Sequence, residues 1–304
     1  MGKRADRMRV AILGSGNIGT DLLIKVLRSK VLECTLFIGR NLSSPGMAKA
    51  NSLGVPISDR SIEAICDDPD CCDLVFDATS ALDHARHWPV LQRLGKRVID
   101  MTPARLGTMC VPAVNLRACL DSPNVNMVSC GGQASIPLAH VVGRVHGTVD
   151  YVEVVSSIAS RSAGPATRIN LDEYVETTEH GLTAFSGCTR AKVILNLNPA
   201  QPCIDMQTTI SALVREPDLA RLRPAVEQMV AGICAYVPGY QLVLSPIWEK
   251  SRIVMMVRVQ GLGDYLPRYA GNLDIINCAA LAAAEAFAAH RLSLADDSER
   301  GRHV

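Results

Sequence analysis

Charge of one sign is what this 304-residue chain lacks: 31 Lys and Arg stand against 30 Asp and Glu, a formal net charge of +1. So even a balance gives no electrostatic reason to invoke nucleic acid or an anionic lipid surface as a partner. The basic start, Lys3, Arg4, Arg7 and Arg9, precedes no long apolar segment. It reads as a solvated tail, not a signal peptide. The most apolar late stretch, 275–289, carries Glu285 and is too short and alanine-rich to be read as a bilayer span. The expectation is a cytoplasmic protein without membrane association. No C-x-x-C pair occurs among the 11 cysteines, which removes zinc-ribbon and thioredoxin readings. His84, His87, His140, His146 and His180 are scattered, without an H-E-x-x-H or Cys/His cluster. Each is assigned a structural or surface role, and no metal is expected. There is no internal repeat and no low-complexity segment.

Against those absences, 48% of the residues are hydrophobic and 20% charged, enough for a sizeable core in one large or two smaller domains. The first apolar run is Met8–Leu13. Gly14-Ser15-Gly16-Asn17-Ile18-Gly19 follows at once, and Leu22, Leu23, Val26 and Leu27 then recur at helical spacing. Strand, G-x-G-x-x-G, helix is the order a dinucleotide site requires. Gly14 makes the tight turn, Gly16 admits the pyrophosphate, Gly19 lets helix and strand pack, and amides around Ser15–Ile18 face the phosphates. The bland alternative is an ordinary glycine-rich βα turn. The second strand, Thr35–Ile38, ends at Gly39-Arg40-Asn41, where an NAD-selective site usually has Asp or Glu for the ribose 2′-hydroxyl. Arg40 instead suits a 2′-phosphate, which leaves NAD and NADP both open as cofactor. Arg40 is equally readable as a plain surface residue.

Strands and helices keep alternating: a helix near 46–53, a short one near 61–66, strand 73–80, helix 82–94, strand 97–100, strand 125–128. That alternation implies a doubly wound α/β, Rossmann-like parallel sheet with ligands at the strands' carboxyl ends. Ser80, Thr102 and Cys130 all sit at such ends and are expected to line one crevice. From Thr148 the texture changes. Long strands at 151–160, 192–197 and 253–259 alternate with helices at 171–185 and 219–235, which suggests a second, α+β domain with one sheet face covered. Its bare face suits a dimer interface, so a homodimer or larger oligomer is expected. Asn170, with Glu173 three residues on, reads as a capping box. An Ala-rich helix, 273–292, returns to the first domain, and the tail 296–304 is expected to fray. The expected division is 1–129 plus 270–304 for dinucleotide binding and 130–269 for catalysis and dimerisation.

The candidate nucleophile is Cys130, in Val128-Ser129-Cys130-Gly131-Gly132-Gln133-Ala134. A thiol between strand end and helix start faces free N–H groups and partial positive charge, which favour a thiolate. The two glycines would let a substrate approach the backbone closely. The other ten cysteines read as small buried hydrophobes. A nicotinamide site beside an activated thiol points to aldehyde oxidation, because a thiohemiacetal can give up the hydride that the free aldehyde cannot. The resulting thioester is released by water, phosphate or coenzyme A, and motif physics alone does not choose among them.

The chain resembles the acylating acetaldehyde dehydrogenases of bacterial meta-cleavage pathways, which work in complex with a 4-hydroxy-2-oxovalerate-type aldolase. The resemblance rests on residues 10–22, 76–80, 125–134 and 162–170, on Ala235-Tyr236-Val237-Pro238-Gly239-Tyr240, and on 265–275. It implies Cys130 as the acyl-thioester nucleophile, a small aldehyde as substrate, coenzyme A as acyl acceptor and the aldolase as partner. It implies cofactor contacts from Ser15, Gly16, Asn17 and Ile18, from Ser162, Ala163, Gly164, Pro165, Ala166, Thr167, Arg168, Ile169 and Asn170, and from Asn272. The sequence also departs from the family. Where relatives usually carry an aspartate thought to act as base, the aligned position is Thr208, with Asp205 as the nearby substitute. The stretch Gln241–Arg252 is shortened, and Arg40 replaces the usual acid. Two alternatives therefore stand beside the acylating enzyme. One is a phosphate-dependent semialdehyde dehydrogenase or reductase, with Arg161 or Arg168 holding phosphate. The other is a catalytically impaired aldolase partner that keeps the fold.

Overall fold

The computed structural model describes residues 7–164 and 168–300; Lys3, Arg4, Pro165, Ala166, Thr167 and the last four residues lie outside them. The near-continuous apolar runs of the first part form parallel strands buried on both faces, as such runs must. In β1 (Met8–Leu13) residues Val10 to Leu13 are all fully enclosed. The order continues α1 (Asn17–Arg28), β2 (Leu32–Ile38), α2 (Pro45–Ser52), β3 (Ile57–Ser58), α3 (Glu63–Asp67) and β4 (Leu74–Asp77). Then come α4 (Ala81–Arg93), β5 (Arg97–Asp100), β6 (Thr108–Met109), α5 (Pro112–Cys119) and β7 (Asn124–Asn126). The sheet order is β3-β2-β1-β4-β5-β7-β6, and every pairing in it is parallel. Chain direction across the sheet reverses between β1 and β4, which puts the glycine loop at the topological switch point where such sheets bind ligands.

The second part opens with α6 (Cys130–His146) and β8 (Val149–Ala159), followed by α7 (Leu171–Ser186), β9 (Cys188–Asn198), β10 (Met206–Leu213), α8 (Leu219–Cys234), β11 (Tyr240–Glu249) and β12 (Arg252–Val259). Its five strands run in the order β11-β12-β10-β8-β9. Here burial alternates residue by residue: Val152, Val154, Ser156 and Ile158 of β8 point inward, as do Met206, Thr208, Ile210 and Ala212 of β10. Helices α6, α7 and α8 cover that inner face. The other face, with Val155, Thr209, Val254 and Met256, is half-exposed.

Five elements are absent from the sequence expectation: β3 and β6, two residues each and too short to show a period, and three longer ones. Helix α5 contains Asn115 with non-helical φ/ψ, which breaks its periodicity. Strand β10 carries Thr208 at an inward position, which hides the alternation. Strand β11 contains Pro246 and two register shifts against β12, so no period of two survives in it. The shortened stretch 241–252 closes as a tight hairpin: Glu249 pairs with Arg252, and the two residues between, Lys250 and Ser251, have φ of 48° and 62°. Two successive positive φ values match the turn whose twist suits a two-residue hairpin. The cysteine expectation needs correction too. Cys66 is exposed and Cys71, Cys203 and Cys234 are half-buried.

Helix α9 (Gly271–Arg300) is longer than expected and runs through positions assigned to the frayed tail. By length and composition 271–294 is enough to cross a bilayer, but 67% of its most apolar window is buried in the protein, so it is a core helix. Ile276, Ala279, Ala280, Ala283, Ala284 and Phe287 complete the core beneath β1, β4 and β5.

A buried ion cluster fixes α9 and the loop before it against α1. Lys25 Nζ lies 2.7 Å from Asp21, 2.9 Å from Asp264 and 2.7 Å from Asp274. Asp21 also accepts from the backbone N–H groups of Tyr265 and Leu266 and from Asn277 Nδ2. Burial works against the Lys25 ammonium, but the carboxylates outweigh it and raise its pKa. In the sequence Asp21 and Lys25 pass for an ordinary surface i,i+4 pair; here both are enclosed. Removing one partner of such a cluster leaves uncompensated buried charge. Lys25→Met is expected to destabilise the protein by about 3–5 kcal/mol in urea unfolding. A loss below about 1 kcal/mol would show that the carboxylates relax to solvent.

Candidate active site

The turn from β7 into α6 decides where Cys130 stands. Asn126, at the end of β7, donates from Nδ2 to Asp100 Oδ2 at 2.7 Å and to the Thr102 carbonyl at 2.8 Å. Its Oδ1 accepts from the Val128 N–H at 2.9 Å. That bond holds Val128 at φ +61°, a left-handed conformation that a β-branched residue adopts only under constraint. The chain reverses within two residues. Ser129 then caps the helix, accepting from Gly132 N–H at 2.9 Å, and Cys130 is the first helical residue. The result is a sharp strand–turn–helix with the thiol at its tip, the arrangement that exposes a nucleophile above a sheet's carboxyl edge.

The neighbourhood of the thiol differs from the expectation in two ways. First, the glycines admit protein rather than substrate. A Cβ on Gly131 would lie 2.0 Å from Tyr174 Oη, and one on Gly132 would lie 2.8 Å from a Val128 methyl. Second, burial works against the thiolate. Burial pushes Cys130 up to about 11, against the Gly131 N–H, the Tyr174 hydroxyl and its own N–H, which favour the thiolate. No charged side chain is among the groups acting on it, so the helix terminus alone does not overcome desolvation.

Thr208, at the position where the resemblance places a carboxylate, is fully buried on the inner face of β10 and lies 2.9 Å from Ser156 Oγ on β8. Asp205 precedes that strand and is half-exposed, on the parity that faces away. Tyr174, on α7, escaped the sequence reading entirely. Its hydroxyl sits between the Gly131 backbone and Ser156, fully enclosed, and meets no partner in good hydrogen-bond geometry. A single aromatic in a helix gives no sequence signal of such a role.

The glycine loop has the shape a dinucleotide needs. Gly14 has φ +121°, and a Cβ there would strike the Ala78 carbonyl at 2.5 Å. A Cβ on Gly19 would meet the Gly14 carbonyl at 1.9 Å, whereas the space beside Gly16 is open. A cleft of about 240 Å³ brings together Asn17, Arg161, Ser162, Tyr265, Ala270 and Leu273. Three separate segments singled out in the sequence thus meet in one place. Asn272, beside that cleft in sequence, is buried and its Oδ1 has no partner, a polar atom left for a ligand to satisfy. Arg40 is exposed in the turn after β2. That turn adjoins the glycine loop through Ser44 Oγ, 3.4 Å from Ser15 Oγ.

Other expected site residues are committed elsewhere. Arg168 donates to the carbonyls of Ala163 and Ser160 and to Ser160 Oγ, all within its own loop. Ser162 donates to the Ala159 carbonyl, Ala163 is buried, Gly164 is open and Ile169 is 79% exposed. Asn170 holds the N-cap position of α7, without the side-chain cap bond of a capping box. The single crevice expected for Ser80, Thr102 and Cys130 is not formed by their polar atoms. Ser80 caps α4 through Asp83, and Thr102 is enclosed under the Asn126 clamp. His140 Nδ1 meets the Phe185 carbonyl at 2.7 Å, which leaves it structural, as expected. His84 and His87 are buried, each with Nδ1 2.9 Å from Asp77 Oδ2. Burial works against the Asp77 carboxylate, yet those two bonds hold it down at about 2.

Comparison with known proteins follows this geometry. Residues 130–267 match the family model described as prokaryotic acetaldehyde dehydrogenase, dimerisation. An acetaldehyde dehydrogenase of Spirochaeta aurantia is 59% identical over 93% of this chain and 96% of its own length. One of Pectobacterium atrosepticum is 60% identical over 92% and 95%. Among solved structures, the fold is shared with aspartate semialdehyde dehydrogenase from Candida albicans, with a TM-score of 0.65 at 10% identity over 92% of this chain and 99% of that one.

A raised thiol pKa predicts how the site responds to pH. Alkylation of Cys130 by iodoacetamide, followed on its own peptide by mass spectrometry, is expected to rise about tenfold per pH unit from 7 to 9 without levelling. A plateau below pH 8 would mean that the resting group is already a thiolate.

Proposed function

The chain belongs to the prokaryotic acetaldehyde dehydrogenase family. On that premise we propose that it oxidises acetaldehyde or a short homologue to the acyl-CoA, with NAD or NADP as cofactor and Cys130 as nucleophile. The observation that carries this reading is the seating of Cys130 at the tip of the β7–α6 turn, on the carboxyl edge of the sheet whose switch point holds the glycine loop.

The glycine loop, Ser15 to Ile18, would hold the pyrophosphate on the N-terminus of α1, with Ser162 and Asn272 on the far side of the cleft. When bound, the nicotinamide supplies the hydride acceptor. The protein's own residues do the rest. Cys130 Sγ adds to the aldehyde carbon, and the tetrahedral adduct has a C–H from which hydride can leave. The thioester that remains on Cys130 is then attacked by the thiol of coenzyme A, which releases acyl-CoA and returns Cys130 to its thiol form. Of the two arginines that could hold phosphate instead, Arg168 is already engaged by its own loop, and only Arg161 faces the cleft. The half-exposed face of the second sheet, with Val155 and Met256 at its middle, suits a homodimer, in keeping with the dimerisation model that matches this region. A 4-hydroxy-2-oxovalerate-type aldolase would be the supplier of the aldehyde, and the cytoplasm the working compartment.

Reduced cofactor followed with and without coenzyme A tests the reading. Turnover is expected to require coenzyme A and to fall to background in Cys130→Ala; turnover that needs phosphate instead, or survives in Cys130→Ala, would sink it. Arg40→Ala addresses the cofactor. Its kcat/KM with NADP is expected to drop about tenfold, the worth of one charge-assisted hydrogen bond, with the NAD value unchanged. An unaltered NADP value would leave Arg40 a surface residue.

A further inference from the structure

Among the described residues, the thiol that this reading requires has no base beside it: no carboxylate, imidazole or ammonium acts on Cys130. Thr208 and Ser156, the buried groups nearest to where a carboxylate is expected, are neutral hydroxyls bonded to each other at 2.9 Å. Beside them stands Tyr174 Oη. It is enclosed, it makes no well-aligned hydrogen bond although the Cys130 thiol, Ser156 and the Gly131 backbone lie within its reach, and it is pressed so closely on Gly131 that any side chain there would overlap it.

Much of the local structure exists to hold that phenol in place. Ser129 Oγ, which caps α6, lies 2.6 Å from Thr178 Oγ1, and Thr178 donates to the Tyr174 carbonyl at 2.6 Å. The cap of the helix that carries the thiol and the turn of the helix that carries the phenol are thus bonded together. Thr177 Oγ1 adds a bond to the Pro103 carbonyl on the adjoining loop. An enclosed hydroxyl without a well-aligned partner is costly to keep, so its place beside a reacting atom suits a partner that arrives with the substrate.

Resting on the reading above, we propose that Tyr174 is a catalytic residue: a proton relay between the Cys130 thiol and the aldehyde oxygen. As Sγ forms its bond to the carbonyl carbon, the C=O π pair moves to oxygen. That oxygen takes the Tyr174 hydroxyl proton, and Tyr174 Oη takes the proton leaving Sγ. Tyr174 ends neutral and the adduct is a neutral thiohemiacetal, so the addition step needs neither a free thiolate nor a separate base; the adduct's O–H proton is released to solvent when hydride departs. A protonated resting thiol is then what the mechanism uses. Ser156 and Thr208 are positioning residues that set the phenol's orientation.

Tyr174→Phe keeps the ring and removes only the hydroxyl. Its kcat/KM for acetaldehyde is expected to fall about 100-fold, as loss of a positioned acid–base group does, with the KM for NAD unchanged. Alkylation of Cys130 at pH 8 is expected to slow at least threefold, because the thiolate loses its donor. Turnover within twofold of the native value together with a native alkylation profile would overturn the relay, as would an equal loss in turnover accompanied by a changed KM for NAD, which marks a merely structural role. Ser156→Ala is the second variant, for the case in which Tyr174→Phe does not fold: it is expected to lower kcat/KM several-fold with the KM for NAD unchanged, and native turnover would overturn the proposal. The alkylation arm needs no turnover. If Cys130→Ala keeps activity, the proposed function has failed; if Cys130→Ala is dead and Tyr174→Phe is native, only the relay has.

Discussion

One side-chain amide holds the site together. Asn126 uses both ends of its carboxamide at once: the NH₂ on Asp100 and the Thr102 carbonyl, the oxygen on the Val128 N–H. Without that last bond nothing compensates the left-handed Val128, whose strain is of order 1–3 kcal/mol. With it, the strand stops, the chain turns and the first amide of α6 belongs to a cysteine. The carboxylate under the clamp is itself unusual. Burial pushes Asp100 up to about 6, against the pull of His84 and the bonds from Thr102 and Asn126. The nucleophile's position thus depends on a polar layer sealed beneath the sheet edge, where each partner is needed to satisfy the others.

A second sealed layer does the corresponding work for the cofactor side. Lys25 neutralises carboxylates from α1, from the loop before α9 and from α9 itself, so three elements far apart in sequence are brought to one ammonium. The glycine loop starts α1 and Asn272 lies in the first turn of α9. The ion cluster therefore sets the distance between the two sides of the cleft. Its counterpart at Asp77, which takes both His84 and His87, ties α4 to the end of β4. In each case the charged groups are internal.

That contrast marks where sequence reading works. The first sheet was legible because Val10–Leu13, Leu74–Phe76 and Val98–Ile99 are unbroken apolar runs, each with glycine or polar punctuation. The turn that carries the candidate nucleophile was legible because Ser129-Cys130-Gly131-Gly132 combines a cap, a thiol and two residues without side chains. Yet the reason for those glycines was misread, since their missing Cβ atoms make room for Tyr174 and Val128, and adjacency in space leaves no trace in spacing. The thiol's charge was misread on similar grounds: a helix terminus is visible in sequence, whereas desolvation is a property of everything packed around it. Strand β11 was lost to its bulges and to Pro246, which destroy the period that a reader counts.

The return of the C-terminal helix has a consequence for biosynthesis. The core beneath β1, β4 and β5 includes Ile276, Ala280 and Phe287, so residues 7–127 cannot close their own interior without the later helix. Domains ordinarily fold in the order they are made. In this chain the five-stranded unit has nearly all of its interior partners within 128–259 and can consolidate by itself, whereas the seven-stranded unit completes its interior only once α9 has been made.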